Sequence, residues 1–161
     1  MNTTLPPERR SEILFQNIAK SDCGVIALQA ITGLKRETAE RLAVEIGGYT
    51  PEEGTPRSGL DRVLGKLSVQ HSPVAYADIR GVTAASFAMF NEYGRFLVYT
   101  PAHVMALIDG DLLNSRSFFH DPVEAVTKIG PDDCVLSIAS RAEIALEKAG
   151  IVIEPPHTGA V

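Results

Sequence analysis

The sequence predicts an α+β domain, with helices first and an antiparallel sheet second. Three observations carry this. Apolar residues recur at i, i+3, i+4, i+7 in the first half: Ala39, Leu42, Ala43 and Ile46, then Leu60, Val63, Leu64 and Leu67. Short runs rich in strand formers follow after Gly94. Two of these runs meet at Asp109-Gly110, a dipeptide suited to a type I′ hairpin because both turn positions need positive φ. Runs of helices followed by runs of strands give an α+β layout.

Each element has its own reason. A helix is expected from Cys23 to Thr32: Ser21 or Asp22 can cap it, Val25, Ile26, Leu28 and Ile31 supply apolar surface, and Gly33 suits its C-terminal end. A second helix runs from about Arg36 to Ile46 and stops at Gly47-Gly48, and a third covers about Ser58 to Leu67. Between them Tyr49 to Pro56 reads as a loop. One short strand, interrupted by Pro73, is expected within Val69 to Ala77. Thr83 to Tyr93 reads as a short helix with Phe87 and Phe90 inward. Strands are expected over Arg95–Thr100, His103–Ile108 and Asp111–Phe119, and a last helix over about Arg141 to Lys148. Residues 1–12, with Pro6-Pro7, read as an extended arm, 13–154 as one domain and 155–161 as a loose tail.

A chain of 161 residues has the length of one domain and can bury a substantial core. With 45% hydrophobic and 22% charged residues, it is neither disordered nor low in complexity. The net charge of −5 and scattered basic residues argue against nucleic acid as partner. No apolar run approaches the ~20 residues that cross a bilayer, and the start has no secretory pattern, so a cytoplasmic location and no membrane partner are expected. Two distant cysteines, Cys23 and Cys134, fit a reducing compartment rather than a disulfide scaffold.

Chemistry concentrates around Cys23. In the first turn of a helix, its sulfur meets unpaired N–H groups and partial positive charge, which favour a thiolate. The charge of Asp22 opposes this unless its side chain is occupied as a cap. Gln16, seven residues earlier, can join the Cys23 N–H in an oxyanion hole. A thiol nucleophile needs a base, and His103 opens a strand where its side chain can face a cleft. With Asp109-Gly110 as the turn, Met105 faces Asn114 and His103 faces Arg116. Asn114 then lies diagonally from His103 on the same face, roughly 7–8 Å away between Cα atoms. Its side-chain carbonyl can accept from the imidazole and hold one tautomer. Asp121, before Pro122, is the competing orienter; the register favours Asn114. Each residue also has a plain structural role open to it, since a lone cysteine on an amphipathic helix is usually core. Cys134 beside Asp132 and Asp133 reads as structural, and no cysteine–histidine pair has the spacing of a zinc site, so no metal or organic cofactor is expected.

The order of glutamine, cysteine at a helix start, distant histidine on a strand, then asparagine resembles the papain-like cysteine peptidases. The segment from His103 to Asn114-Ser115 resembles their histidine hairpin, which ends in Asn-Ser-Trp; here Arg116 stands in place of the tryptophan. Asp22-Cys23-Gly24 with His103 and Asp121-Pro122 also resembles the leader-peptidase domains of bacteriocin-exporting ABC transporters, a likeness that points to Asp121. Gly54-Thr55-Pro56, Gly94-Arg95-Phe96-Leu97-Val98 and the pattern His-x-x-Ala-x-x-Asp-Gly-x-x-x-Asp, with Asn114 in the last place, resemble small stand-alone papain-like proteins of bacteria and phages. The resemblance spans roughly residues 14–121. It implies a papain-like fold, with the cysteine helix packed on a C-terminal antiparallel sheet. It also implies a cysteine peptidase or related thiol acyl hydrolase working through Cys23, His103, Asn114 and Gln16 on a peptide or protein substrate. Two alternatives stay open: a silent papain-like scaffold that binds a partner protein, such as a phage protein directed at a host factor, and an acyl transferase with the same triad. A phage origin would place it in the host cytoplasm or the virion.

Overall fold

The structure, a computed structural model, describes residues 22–153. The expected arm, Gln16 and the tail therefore lie outside the described residues. Three helices come first: α1 (Cys23–Thr32), α2 (Arg36–Glu45) and α3 (Arg57–Lys66). Strand β1 (His71–Pro73), helix α4 (Ala84–Phe90), strands β2 (Arg95–Thr100), β3 (His103–Ile108), β4 (Asp111–Leu113) and β5 (Ala125–Ile129), and helix α5 (Ile138–Ile153) follow. The strands form one sheet in the order β1-β5-β2-β3-β4, and every neighbouring pair is antiparallel. The α+β layout with helices ahead of the sheet is as expected. Among the described residues no helix is long and apolar enough to cross a membrane.

The sheet carries a core on each face. Leu97 and Tyr99 of β2 and Val104, Ala106 and Ile108 of β3 pack with α1, α2, α3 and α5. Their strand neighbours Phe96, Val98, Met105 and Leu107 face the other way, onto Phe87 of α4, Ile79 and Val123. This two-sided cover explains why β2 and β3 are apolar without a polar face, for every residue in both is buried. Helix α1 is buried all round from Gly24 to Ile31, between the sheet and α2. Gly33 ends it at φ 76°, and the Gly33 N–H donates to the Gln29 carbonyl at 2.7 Å. The buried Arg95 guanidinium holds that same end, donating to the Ile31 carbonyl and, at 3.1 Å, to the Gly130 carbonyl.

The hairpin register is the expected one: Ile108 pairs Asp111, Leu107 pairs Leu112 and Ala106 pairs Leu113, across a turn with φ 47° at Asp109 and 88° at Gly110. Three expectations need correction, and one strand lies outside them. Phe90 is 82% exposed rather than inward, because α4 is short and presents only Ala84 and Phe87 to the core. The strand expected over Asp111–Phe119 ends at Leu113, where Asn114 turns to φ 61°, and a 3₁₀ turn takes up Arg116–Phe118. The last helix is longer than Arg141 to Lys148 and runs through Ile151 to Ile153. Strand β5, with no counterpart in the sequence reading, is inserted between β1 and β2. Pro73 is tolerated because β1 is an edge strand of three residues.

Candidate active site

Cys23 is the first residue of α1, where the sheet end of β3 meets the helix start. The backbone amides of Val104, Gly24 and Cys23 itself lie close enough to the thiol to pull its pKa down. Burial is the larger effect, and with a smaller push from the Asp22 charge it drives the thiol above its ordinary value. The helix N-terminus therefore does not by itself deliver the thiolate that its position suggested. Asp22 holds the N-cap position of α1, as the sequence allowed, but its side chain makes no capping bond; its carboxylate accepts from Arg36 Nη2 at 2.6 Å and so anchors α1 to α2.

His103 is buried at the start of β3. Strand alternation sets it on the side of Met105 and Leu107, while Val104 faces α1. The thiol thus meets the backbone immediately after His103. The imidazole leaves the strand from the other side of that backbone, at the end of the sheet. Its Nε2 lies 2.6 Å from the backbone carbonyl of Asn114. A carbonyl only accepts, so in the neutral ring Nε2 carries the proton and Nδ1 the lone pair. The register thus brings Asn114 to His103 as expected, but the group found bonded to the ring is the main-chain carbonyl, where the side-chain amide was expected. The positive φ of Asn114, a conformation this residue type tolerates, turns that carbonyl.

The ring of Phe118 stacks on His103, with centroids 4.2 Å apart and planes inclined by 14°. Sequence reasoning passed over Phe118, although its place four residues past Asn114 in a closing turn was the available signal. Asp121 is held through its main chain: its N–H donates to the Phe118 carbonyl at 2.9 Å, and its carbonyl accepts from the Ala84 N–H at 3.0 Å. It is built into the seam with α4. Cys134 is exposed beside the Ser68 carbonyl, and His120 lies against Phe119. Among the described residues, no three histidine, cysteine or acidic side chains converge as a metal site requires.

The Gly54-Thr55-Pro56 loop closes on the cysteine from the α3 side. A Cβ on Gly24 would come within 3.0 Å of the Thr55 Cβ, so only glycine fits next to Cys23 without a shift. Pro56 precedes α3 in extended conformation and starts the helix at Arg57. Arg57 places its guanidinium 5.8 Å from the centre of the Tyr99 ring. No family model, no curated protein and no solved structure matches the chain.

Proposed function

We propose that the chain is a papain-like thiol hydrolase, a cysteine peptidase in its chemistry, with Cys23 as nucleophile and His103 as its proton acceptor and donor. The observation that carries this reading is the place of the Cys23 thiol, at the first residue of α1 and close to the backbone amide of Val104. That sets the sulfur near the residue following His103, the one histidine among the described residues whose ring is held by both a carbonyl and a stacked aromatic.

His103 Nδ1 takes the thiol proton as the sulfur attacks a carbonyl carbon. The S–C bond forms, and the carbonyl π pair moves onto oxygen. The Cys23 N–H and Gln16 hold that oxyanion. His103 gives the proton to the leaving amine as its C–N bond breaks; water, deprotonated by the same ring, then attacks the thioester carbon, the C–S bond breaks, and the ring returns its proton to the Cys23 sulfur. Because burial holds the sulfur as a thiol, proton transfer accompanies attack, in place of a ready-made thiolate–imidazolium pair. Positioned proton transfer of this kind contributes typically about 10²–10⁴-fold.

The raised thiol pKa also favours a second reading, a papain-like scaffold that binds a partner without turnover. Iodoacetamide labelling of Cys23 across pH, located by mass spectrometry in wild type and His103→Ala, separates the two. The hydrolase reading expects labelling that depends on His103. An inert Cys23, or identical profiles in both proteins, would leave the scaffold.

A further inference from the structure

Three polar atoms around α3 are buried, and none finds a hydrogen-bond partner among the described residues: Thr55 Oγ1 just before the helix, Asp61 Oδ1 on it, and Tyr99 Oη on β2, whose ring lies beside the Arg57 guanidinium. Tyr99 is only 8% exposed. Thr127, on the adjacent strand, borders its hydroxyl but falls short of hydrogen-bond geometry. The Tyr99 hydroxyl feels the charges of Asp61 and Arg57 and the Cys23 thiol, so these groups share one neighbourhood. Thr55 Oγ1 borders Gly24, one residue from the thiol. Arg57 and Asp61 are one helical turn apart on α3, yet among the described residues neither is ion-paired. A buried polar atom left unsatisfied costs about 1–3 kcal/mol, so three together mark a place built to be filled.

The composition of this wall selects its ligand. Arg57 offers only donors and Asp61 Oδ1 only accepts, while the two hydroxyls do both. Opposite charges on one helix face leave no net attraction for a cation or an anion. A primary carboxamide presents a carbonyl and an NH₂ side by side and is neutral. We propose that Thr55, Arg57, Asp61 and Tyr99 form a subsite next to the nucleophile that takes a carboxamide-bearing residue, of the asparagine or glutamine type, of a peptide substrate. This rests on the reading of Cys23 as nucleophile.

Three alkylating probes sharing one iodoacetylglycyl backbone test it: N-iodoacetylglycinamide, the methyl ester of N-iodoacetylglycine and N-iodoacetylglycine itself. Each reacts with Cys23 by forming an S–C bond and releasing iodide, and they differ only in the terminal group that reaches the subsite. The amide is expected to react at least about tenfold faster than the ester, since a site made to hydrogen-bond an NH₂ rejects the analogue lacking it. In Tyr99→Phe and, as a second variant, Asp61→Asn, the amide-to-ester ratio should fall toward one, in protein whose circular dichroism is that of wild type. Equal rates for all three probes in wild type overturn the subsite and leave the nucleophile standing. Failure of every probe to label Cys23 overturns both.

Discussion

The Phe118 ring lies almost parallel on the His103 imidazole, 4.2 Å centre to centre, and so covers the hydrogen bond from His103 Nε2 to the Asn114 carbonyl. A hydrogen bond shielded from water is electrostatically stronger than an open one. The aromatic ring therefore supports the tautomer as well as the position of the imidazole. Removing it tests that coupling. Stacked aromatic pairs are worth about 0.5–1.5 kcal/mol. Phe118→Ala is expected to slow His103-dependent labelling of Cys23 about threefold to tenfold, with Phe118→Tyr close to wild type. Labelling indifferent to the alanine change would reduce Phe118 to packing.

At Asn114 the working group is the main chain. Glycine keeps both the carbonyl and the positive φ, whereas a β-branched residue resists that φ. Asn114→Gly should therefore retain clearly more His103-dependent reactivity than Asn114→Val. The reverse order would return the role to the side chain.

Burial raises the Cys23 pKa, and the consequence for stability has a definite sign. The unfolded thiol loses its proton near pH 8.5. Above that pH the folded state keeps a proton that the unfolded state releases. The contribution is whole below about 8.5 and fades as pH climbs through the raised folded value. Tyr99, raised by burial as well, acts in the same sense at higher pH. Between pH 7 and 10, wild type should lose more stability than Cys23→Ala, which lacks one of the two groups. Urea midpoints at the two pH values decide it; parallel losses would show that the thiol does not carry the effect.

Two glycines of α3 should respond in opposite directions. A Cβ on Gly59 would fall 1.7 Å from the Gly47 carbonyl oxygen, a backbone atom that cannot step aside. A Cβ on Gly65 meets nothing within 4 Å. Gly59→Ala is expected to cost about 3 kcal/mol or more, at the upper end for overpacking. Gly65→Ala should add about 0.5–1 kcal/mol through helix propensity and a less free unfolded chain. Thermal melts of the two variants check both signs.

The elements most legible in the sequence were those whose signals are local. Helix α1 starts and stops where the sequence placed it, since Gly33 supplies the left-handed residue. The β3–β4 register follows from Asp109-Gly110, because positive φ at both positions admits few residue types. Strand β5 was missed because Glu124, Thr127 and Lys128 dilute its pattern, and its place between β1 and β2 comes from long-range pairing. Phe90 was misread because periodicity does not say where a helix of one face runs out of core. At the site, proximity of Asn114 to His103 was readable from register. Its means was not, for the choice of carbonyl over amide hangs on a single φ. The group around Tyr99 was invisible for a similar reason: Tyr99 is distant in sequence from Thr55 and Asp61, and long-range packing sets its ring beside Arg57.

Arg95 grips the last turn of α1 while the Asp22–Arg36 pair grips its first. A helix of 10 residues so fastened is a strut about 15 Å long, with the sulfur at one tip. The same guanidinium also holds Gly130, just past the end of β5. Both ends of that strut are tied to the body of the fold, so the place of the sulfur is set by the helix as a whole and not by its first turn alone.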